Sequence, residues 1–290
     1  MNEITRIAPS PTGDMHLGTA RTAYFNYLAA RATGGKFLLR IDDTDNQRNN
    51  EDHVDVILKT MDWLGLDYDE LIRQSDRQYI YNEIAHQMAD SGSATVQDNG
   101  AIIIENVDYH FIPDYWTDSI AGDIKTSQKD REVLKSIVLI KGDGTPAYNF
   151  ASAVDDYCMS TNHVIRGHDH ISNTVKQLTI MNAIKASTNF NNPSCSIPKY
   201  THVGLIFKDK KKLSKRDAAA SMLSYKDSSM KPEAVLNFML RLGWAESSGK
   251  TLPKISKELA IDIFYKEGKM RNQPSNMDLQ LLNFYTKKYR

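Results

Sequence analysis

Two stretches of this sequence combine residue types that handle phosphate. The first, Pro9-Ser10-Pro11-Thr12-Gly13-Asp14-Met15-His16-Leu17-Gly18-Thr19, is a rigid turn that delivers a histidine and a glycine to the start of a helix. A helix N-terminus presents unpaired amide N–H groups and a partial positive charge; glycine lets a phosphate approach the backbone, and His16 adds a side-chain donor. The second, Lys208-Asp209-Lys210-Lys211-Lys212-Leu213-Ser214-Lys215-Arg216, holds six basic residues in nine. Lysine is a flexible point charge, suited to follow charge that develops during phosphoryl or nucleotidyl transfer. Each stretch alone has a plainer reading, a strand-to-helix turn or a solvated run of charge. Their order gives them meaning: a phosphate-type turn after the first strand and a basic loop after the last would grip both ends of one ATP across a doubly wound sheet.

The surrounding pattern predicts such a sheet. Residues 5–8 read as a strand stopped by Pro9, and from Leu17 to Ala32 the residues Ala20, Ala23, Tyr24, Tyr27 and Leu28 recur at helical spacing until Gly34-Gly35. Residues 37–41 form the next apolar strand, so the opening is a strand, helix, strand unit, which implies a parallel α/β sheet with a right-handed crossover. Residues 53–64 read as a helix. From Gln74 to Ser136 the sequence turns polar and weakly periodic, as an insertion would. Apolar signals resume at residues 137–140 and continue through 150–159, 164–165, 171–184 and 203–206, which are expected to complete the sheet. Pro232 opens a helix through Leu242 that ends at Gly243, and a lysine-rich helical unit follows. The expected division is 1–73 and 137–220 for the two halves of the catalytic sheet, 74–136 for the insertion, and 221–290 for the helical unit.

The chain has 290 residues, long enough for a main domain and smaller units. With 36 basic and 36 acidic residues its formal net charge is zero, so a polyanionic partner has to be held by local basic patches. Cys158 and Cys195 are too few for a disulfide framework or a four-thiolate zinc site, which fits a reducing, cytoplasmic setting. His163, His168 and His170 lack thiolate partners, so no zinc is expected. No cleavable apolar leader and no window near the roughly 18 apolar residues of a membrane span is present.

The segment from Asp14 to Thr19 resembles the HIGH signature of class I aminoacyl-tRNA synthetases, and Lys212-Leu213-Ser214-Lys215-Arg216 resembles their KMSKS loop. Residues 6–13 (RIAPSPTG), 25–27 (FNY), 40–45 (RIDDTD), 63–66 (WLGL), 148–151 (YNFA), 154–156 (VDD), 163–167 (HVIRG) and 240–244 (LRLGW) are similar to the glutamyl-tRNA synthetase branch. The likeness runs along nearly the whole chain except the insertion and the extreme C-terminus. It implies a Rossmann-type catalytic domain that activates L-glutamate with ATP and Mg²⁺ carried on it, then passes the glutamyl group to a tRNA end. His16, Lys212 and Lys215 would be catalytic. Gly13, Gly18, Thr19, His168, Leu213 and Ser214 would join them around ATP.

For glutamate, the resemblance implies that Arg6, Arg166 and Tyr148 hold the side-chain carboxylate, with Ser152 nearby. Two guanidiniums facing one carboxylate make chemical sense, because each is a planar fork of donors. A strand-end arginine also commonly pairs with a neighbour such as Asp155 or Asp156. Ala8 and Ser10 would bind the amino acid's main-chain groups. Asp42 would take its ammonium where the family usually has glutamate, a reach shorter by one methylene. Asp43 and Asp45 read as helix caps, with a divalent-cation site as the alternative.

The chain ends after a unit resembling the start of the family's stem-contact domain, so a monomer that meets its tRNA through the acceptor arm, without an anticodon-binding domain, is expected. Three rivals remain: a glutamyl-queuosine tRNA synthetase, whose cysteine-rich insertion motif is missing here; an enzyme that glutamylates another acceptor; and a non-catalytic paralogue. His16, Gly18, Lys212 and Lys215 argue against the last.

Overall fold

The structure, a computed structural model, describes residues 2–45, 48–189, 197–208, 211–213, 221–247 and 254–289, with Lys212 described by its backbone alone. In chain order the first half runs β1 (Ile4–Ile7), α1 (Leu17–Ala32), β2 (Lys36–Ile41), α2 (Glu51–Leu64), β3 (Glu70–Arg73) and α3 (Gln78–Asp90). Then come β4 (Thr95–Val96), β5 (Ile102–Glu105), β6 (Tyr115–Asp118), β7 (Gly122–Lys125), α4 (Gln128–Val133) and β8 (Ser136–Ile140). The second half has α5 (Tyr148–Cys158), β9 (His163–Gly167), α6 (Ile171–Ser187), β10 (Lys199–Val203), β11 (Ile206–Lys208) and β12 (Lys211–Lys212). It closes with α7 (Met222–Asp227), α8 (Pro232–Arg241), β13 (Trp244–Glu246), α9 (Lys257–Ile263), β14 (Gly268–Met270), β15 (Ser275–Asn276) and α10 (Leu279–Lys288).

β1, β2 and β3 pair in parallel, as do β9 and β10. The two parallel groups meet where β1 runs beside β9, and Asn162 ties them: its N–H donates to Ile4 O at 3.1 Å and its Oδ1 accepts from Ile4 N–H at 2.7 Å. The α1 and α6 crossovers therefore lead outward in opposite directions from β1 and β9, and a crevice opens beyond the carboxyl ends of these two strands. The turn from α1 into β2 needs glycine for close packing, because a Cβ on Gly35 would lie 1.9 Å from Glu3 O.

Residues 137–140 do not resume the parallel sheet as expected. β8 pairs antiparallel with β5, in the register Ile103↔Val138 and Ile104↔Ile137, within the three-stranded β4-β5-β8 sheet. Its alternating burial explains the difference: Ile137 and Leu139 point inward, while Val138 is 40% exposed, the habit of a strand with one solvated face. The insertion does contribute to the main sheet elsewhere, since β6 pairs in parallel with β10 at Asp118↔Tyr200.

Two apolar cores follow. One joins α1 to the C-terminal elements, with Phe25, Leu28, Phe37, Phe238, Trp244, Phe264 and Tyr285 together. The other joins the insertion to α5 and α6 through Tyr81, Ile102, Trp116, Leu139, Phe150 and Leu178. α1 is buried on nearly every side, because the sheet lies on one face and α8 and α9 on the other. No helix among the described residues is long and apolar enough to cross a membrane.

Candidate active site

A cavity of about 340 Å³ occupies the crevice. The turn after β1 supplies Ala8, Ser10, Thr12 and Gly13 to its wall, and the head of α1 supplies His16, Gly18 and Thr19. His16 is the N-cap of α1: its Nδ1 accepts from Gly18 N–H at 3.1 Å. That bond leaves the proton of the neutral ring on Nε2, 3.1 Å from Thr19 Oγ1, so the imidazole presents a donor beside the helix N-terminus. A Cβ on Gly18 would stand 3.0 Å from the His16 ring and displace it.

The basic loop reaches the same place at both flanks. Leu213 lines the cavity and is 3% exposed, while Ser221 forms a β-bridge with His16 and Met222 N–H donates to Met15 O at 3.0 Å. Lys212 contributes its backbone to β12 opposite Phe207. Ser214 and Lys215 lie outside the described residues.

The deeper wall holds Arg6, Arg40, Asp42 and Arg166, all buried. Arg6 makes a two-pronged ion pair with Asp156, Nε to Oδ1 at 2.9 Å and a terminal nitrogen to Oδ2 at 3.1 Å. Arg40 reaches Asp42 Oδ1 at 2.6 Å and Asp156 Oδ1 at 2.9 Å, and Asp155 is shared with Arg77 at 2.7 Å. Against the cost of burial, Asp42, Asp156 and Asp155 hold Arg40 charged, far above the usual guanidinium value. Burial would raise Asp156, but Arg6 and Arg40 more than offset it and its carboxyl stays below the usual range. For Asp42 burial wins over the pull of Arg40, and its carboxyl is pushed up to about 6.

Arg166 differs from the other three guanidiniums. Its hydrogen-bond partners among the described residues are His202, Gln177 and Thr174, none of them a carboxylate. Burial lowers its pKa, as for a cation short of compensation. A buried guanidinium whose hydrogen bonds all go to neutral partners favours an anionic group beside it in the crevice.

Several expected residues are placed otherwise. Arg6 is held by Asp156 instead of standing open, and Asp42 by Arg40, because buried ions must be paired. Tyr148 lines the cavity from the start of α5, but Ser152, one turn on, does not; its buried hydroxyl finds no hydrogen-bond partner among the described residues. His168 is exposed on the turn after β9 and also misses the lining, whereas Asp169 and His170 belong to it. α2 is capped by Asn50, not by Asp43 or Asp45. Asp43 accepts from Arg73 and Ser75, and Asp45 from Arg48, so neither stands ready for a cation. Arg21 and Arg40 line the cavity without having been singled out. Arg21 sits on a helix face indistinguishable in sequence from its packed neighbours, and it donates to Leu242 O at 2.8 Å.

The chain is similar in sequence and in fold to known proteins. A glutamate–tRNA ligase of Neorickettsia sennetsu is 40% identical over 265 residues, 91% of this chain and 60% of that protein. One of Rubrobacter xylanophilus is 37% identical over 289 residues, 98% of this chain and 63% of its own. The chain thus spans about three fifths of the length of the curated relatives it matches. A crystal structure of a glutamate tRNA ligase from Elizabethkingia meningosepticum, in complex with its amino acid, shares the fold with a TM-score of 0.79 at 24% identity, covering 100% of this chain and 70% of that one. The family model for tRNA synthetases class I (E and Q), catalytic domain, matches residues 4–107 and 106–280, and the chain belongs to that family.

Proposed function

We propose that this chain activates L-glutamate with ATP as glutamyl adenylate and transfers the glutamyl group to the 3′ end of a tRNA. One observation carries the reading: buried Arg166, with no carboxylate partner among its hydrogen bonds, shares a cavity with the His16-capped N-terminus of α1. A carboxylate side chain fits the first and a triphosphate the second.

In the first step the α-carboxylate of glutamate attacks the α-phosphorus of ATP in line and pyrophosphate leaves. A ribose hydroxyl of the terminal adenosine then attacks the mixed anhydride and releases AMP. No protein nucleophile is required. His16 Nε2–H and the amides of α1 stabilise phosphate oxygens, with Lys212 and Lys215 assigned to the same charge from the basic loop. Gly13, Gly18, Thr19, Leu213 and Ser214 complete the nucleotide site. Mg²⁺ carried on the nucleotide would neutralise part of its charge. Zinc has no role in this scheme. Ala8, Ser10, Asp42 and Tyr148 orient glutamate beside Arg6 and Arg166. The acceptor arm of tRNA is the expected RNA contact, with a monomer in the cytoplasm as the working form.

The test is to supply the chain with ATP, radiolabelled glutamate and total tRNA. Label released on the terminal adenosine by ribonuclease digestion identifies a terminal ester. Label released on an internal nucleoside would instead indicate a modified base, and no label on RNA would refute the reading.

A further inference from the structure

Arg166 is anchored from behind the cavity. Its Nε donates to His202 Nε2 at 3.0 Å, one terminal nitrogen to Gln177 Oε1 at 2.7 Å, and the other to Thr174 Oγ1 at 2.8 Å. A guanidinium has five N–H donors and no acceptor, so these bonds leave one N–H on each terminal nitrogen and oblige His202 Nε2 to accept. The Thr174 hydroxyl lies 3.3 Å from the same Nε2.

His202 then carries its single proton on Nδ1, which faces Asp118 Oδ2 at 2.8 Å. Burial holds this imidazole down at about 4, so it is neutral at ordinary assay pH. Asp118 is itself fixed: Oδ1 accepts from the N–H groups of Ile120 and Ala121 at 2.9 Å each, and Oδ2 accepts from His202 N–H at 2.9 Å. Trp116 meets the His202 ring edge-on with centroids 5.6 Å apart. Both His202 and Asp118 are 1% exposed, so neither can touch a substrate.

We propose that Asp118 and His202 are positioning residues that aim the Arg166 guanidinium at the side-chain carboxylate of the substrate, and thereby set the discrimination between a carboxylate and an amide side chain. The inference rests on the proposed function and deepens it. A guanidinium pairs bidentately only when its plane is fixed, and Nε is the atom that fixes it. With the other tautomer, His202 Nε2–H would oppose Arg166 Nε–H, donor against donor. The carboxylate of Asp118 excludes that tautomer, because an ionised carboxylate has no proton to give Nδ1 and can only accept from it.

Two substitutions separate the halves of the relay. His202→Gln sets a carbonyl oxygen near the position of Nε2, where it accepts from Arg166. His202→Asn sets an amide near Nδ1, where it meets Asp118 but falls short of Arg166. The full chain is assayed by ATP–pyrophosphate exchange with tRNA present, titrating glutamate and glutamine, with thermal melts as a check of folding. His202→Gln is expected to keep the glutamate KM within about threefold of wild type. His202→Asn is expected to raise it about tenfold or more, leave the KM for ATP unchanged, and shrink the glutamate-to-glutamine kcat/KM ratio by the same factor. Asp118→Asn, which cannot satisfy all four donors, is expected to shrink that ratio too and serves as the test if His202→Asn does not fold. A folded His202→Asn or Asp118→Asn with the wild-type ratio overturns the proposal, as does an equal loss in His202→Gln and His202→Asn that follows their melting temperatures. A wild-type chain silent with both amino acids refutes the functional reading, and this inference falls with it.

Discussion

Asp42 is grasped by the arginine two residues before it: Arg40 Nε lies 2.6 Å from Asp42 Oδ1, with a terminal nitrogen 3.3 Å from Oδ2. The same guanidinium holds Asp156, so Arg40 joins two buried carboxylates that would otherwise repel one another. Arg40→Leu leaves both without that cation and is expected to cost about 3–5 kcal/mol of stability. Urea denaturation at neutral pH measures it. A loss under about 1 kcal/mol would show that Arg6 alone suffices for the cluster.

Because burial raises the Asp42 carboxyl to about 6, its charge is present above that pH and lost below it. The protonated form cannot pair with the substrate ammonium. The KM for glutamate should therefore rise as pH falls from 7 to 5, about tenfold per unit below the midpoint. Asp42→Asn should have a high KM throughout and flatten the profile. A wild-type KM constant across this range removes Asp42 from ammonium binding.

Lys215 is the second lysine of the KMSKS-like segment and lies outside the described residues, so its role rests on sequence and on its neighbours. On either side, Leu213 lines the cavity and Ser221 pairs with His16, which lines it. Lys215→Ala should lower the turnover of ATP–pyrophosphate exchange by on the order of a hundredfold with little change in glutamate KM. Near-normal exchange would exclude it from the chemistry.

The described surface offers exposed aromatic rings on the insertion, Tyr109 and Tyr115, each 61% exposed, for bases at a single-stranded RNA end. A full-length glutamate tRNA, the same transcript with its anticodon bases changed, and an acceptor-stem minihelix should be charged by this 290-residue chain with kcat/KM within about tenfold of one another. A thousandfold drop on changing the anticodon would reveal a reading surface outside the acceptor arm.

Helices were legible where burial is one-sided or punctuation is strong. α1 matches the expected 17–32, because His16 and Gly34 bound it, and α8 opens at Pro232 as expected. The alternative partner for a strand-end arginine was legible too, since Arg6 does pair with Asp156. What the sequence hid is long-range. β8 is uniformly apolar at residues 137–140 and looks like any buried strand until its partner is known; only the fold shows Val138 facing solvent. The insertion appeared irregular because its strands are short and half-solvated. His202 and Asp118 carry no local signature at all: they stand 84 positions apart and become a unit only when β6 joins β10.

That pairing of β6 with β10 also bears on how the chain is made. β6 and β7 form a local hairpin that can close early during synthesis, whereas β10 emerges about 80 residues later. In the finished sheet β10 lies between that hairpin and β9, covering the edge that β6 would otherwise leave open. Excising residues 74–136 would remove β6 and leave β10 unpaired along one side, so the insertion is a structural part of the catalytic sheet and not a detachable module.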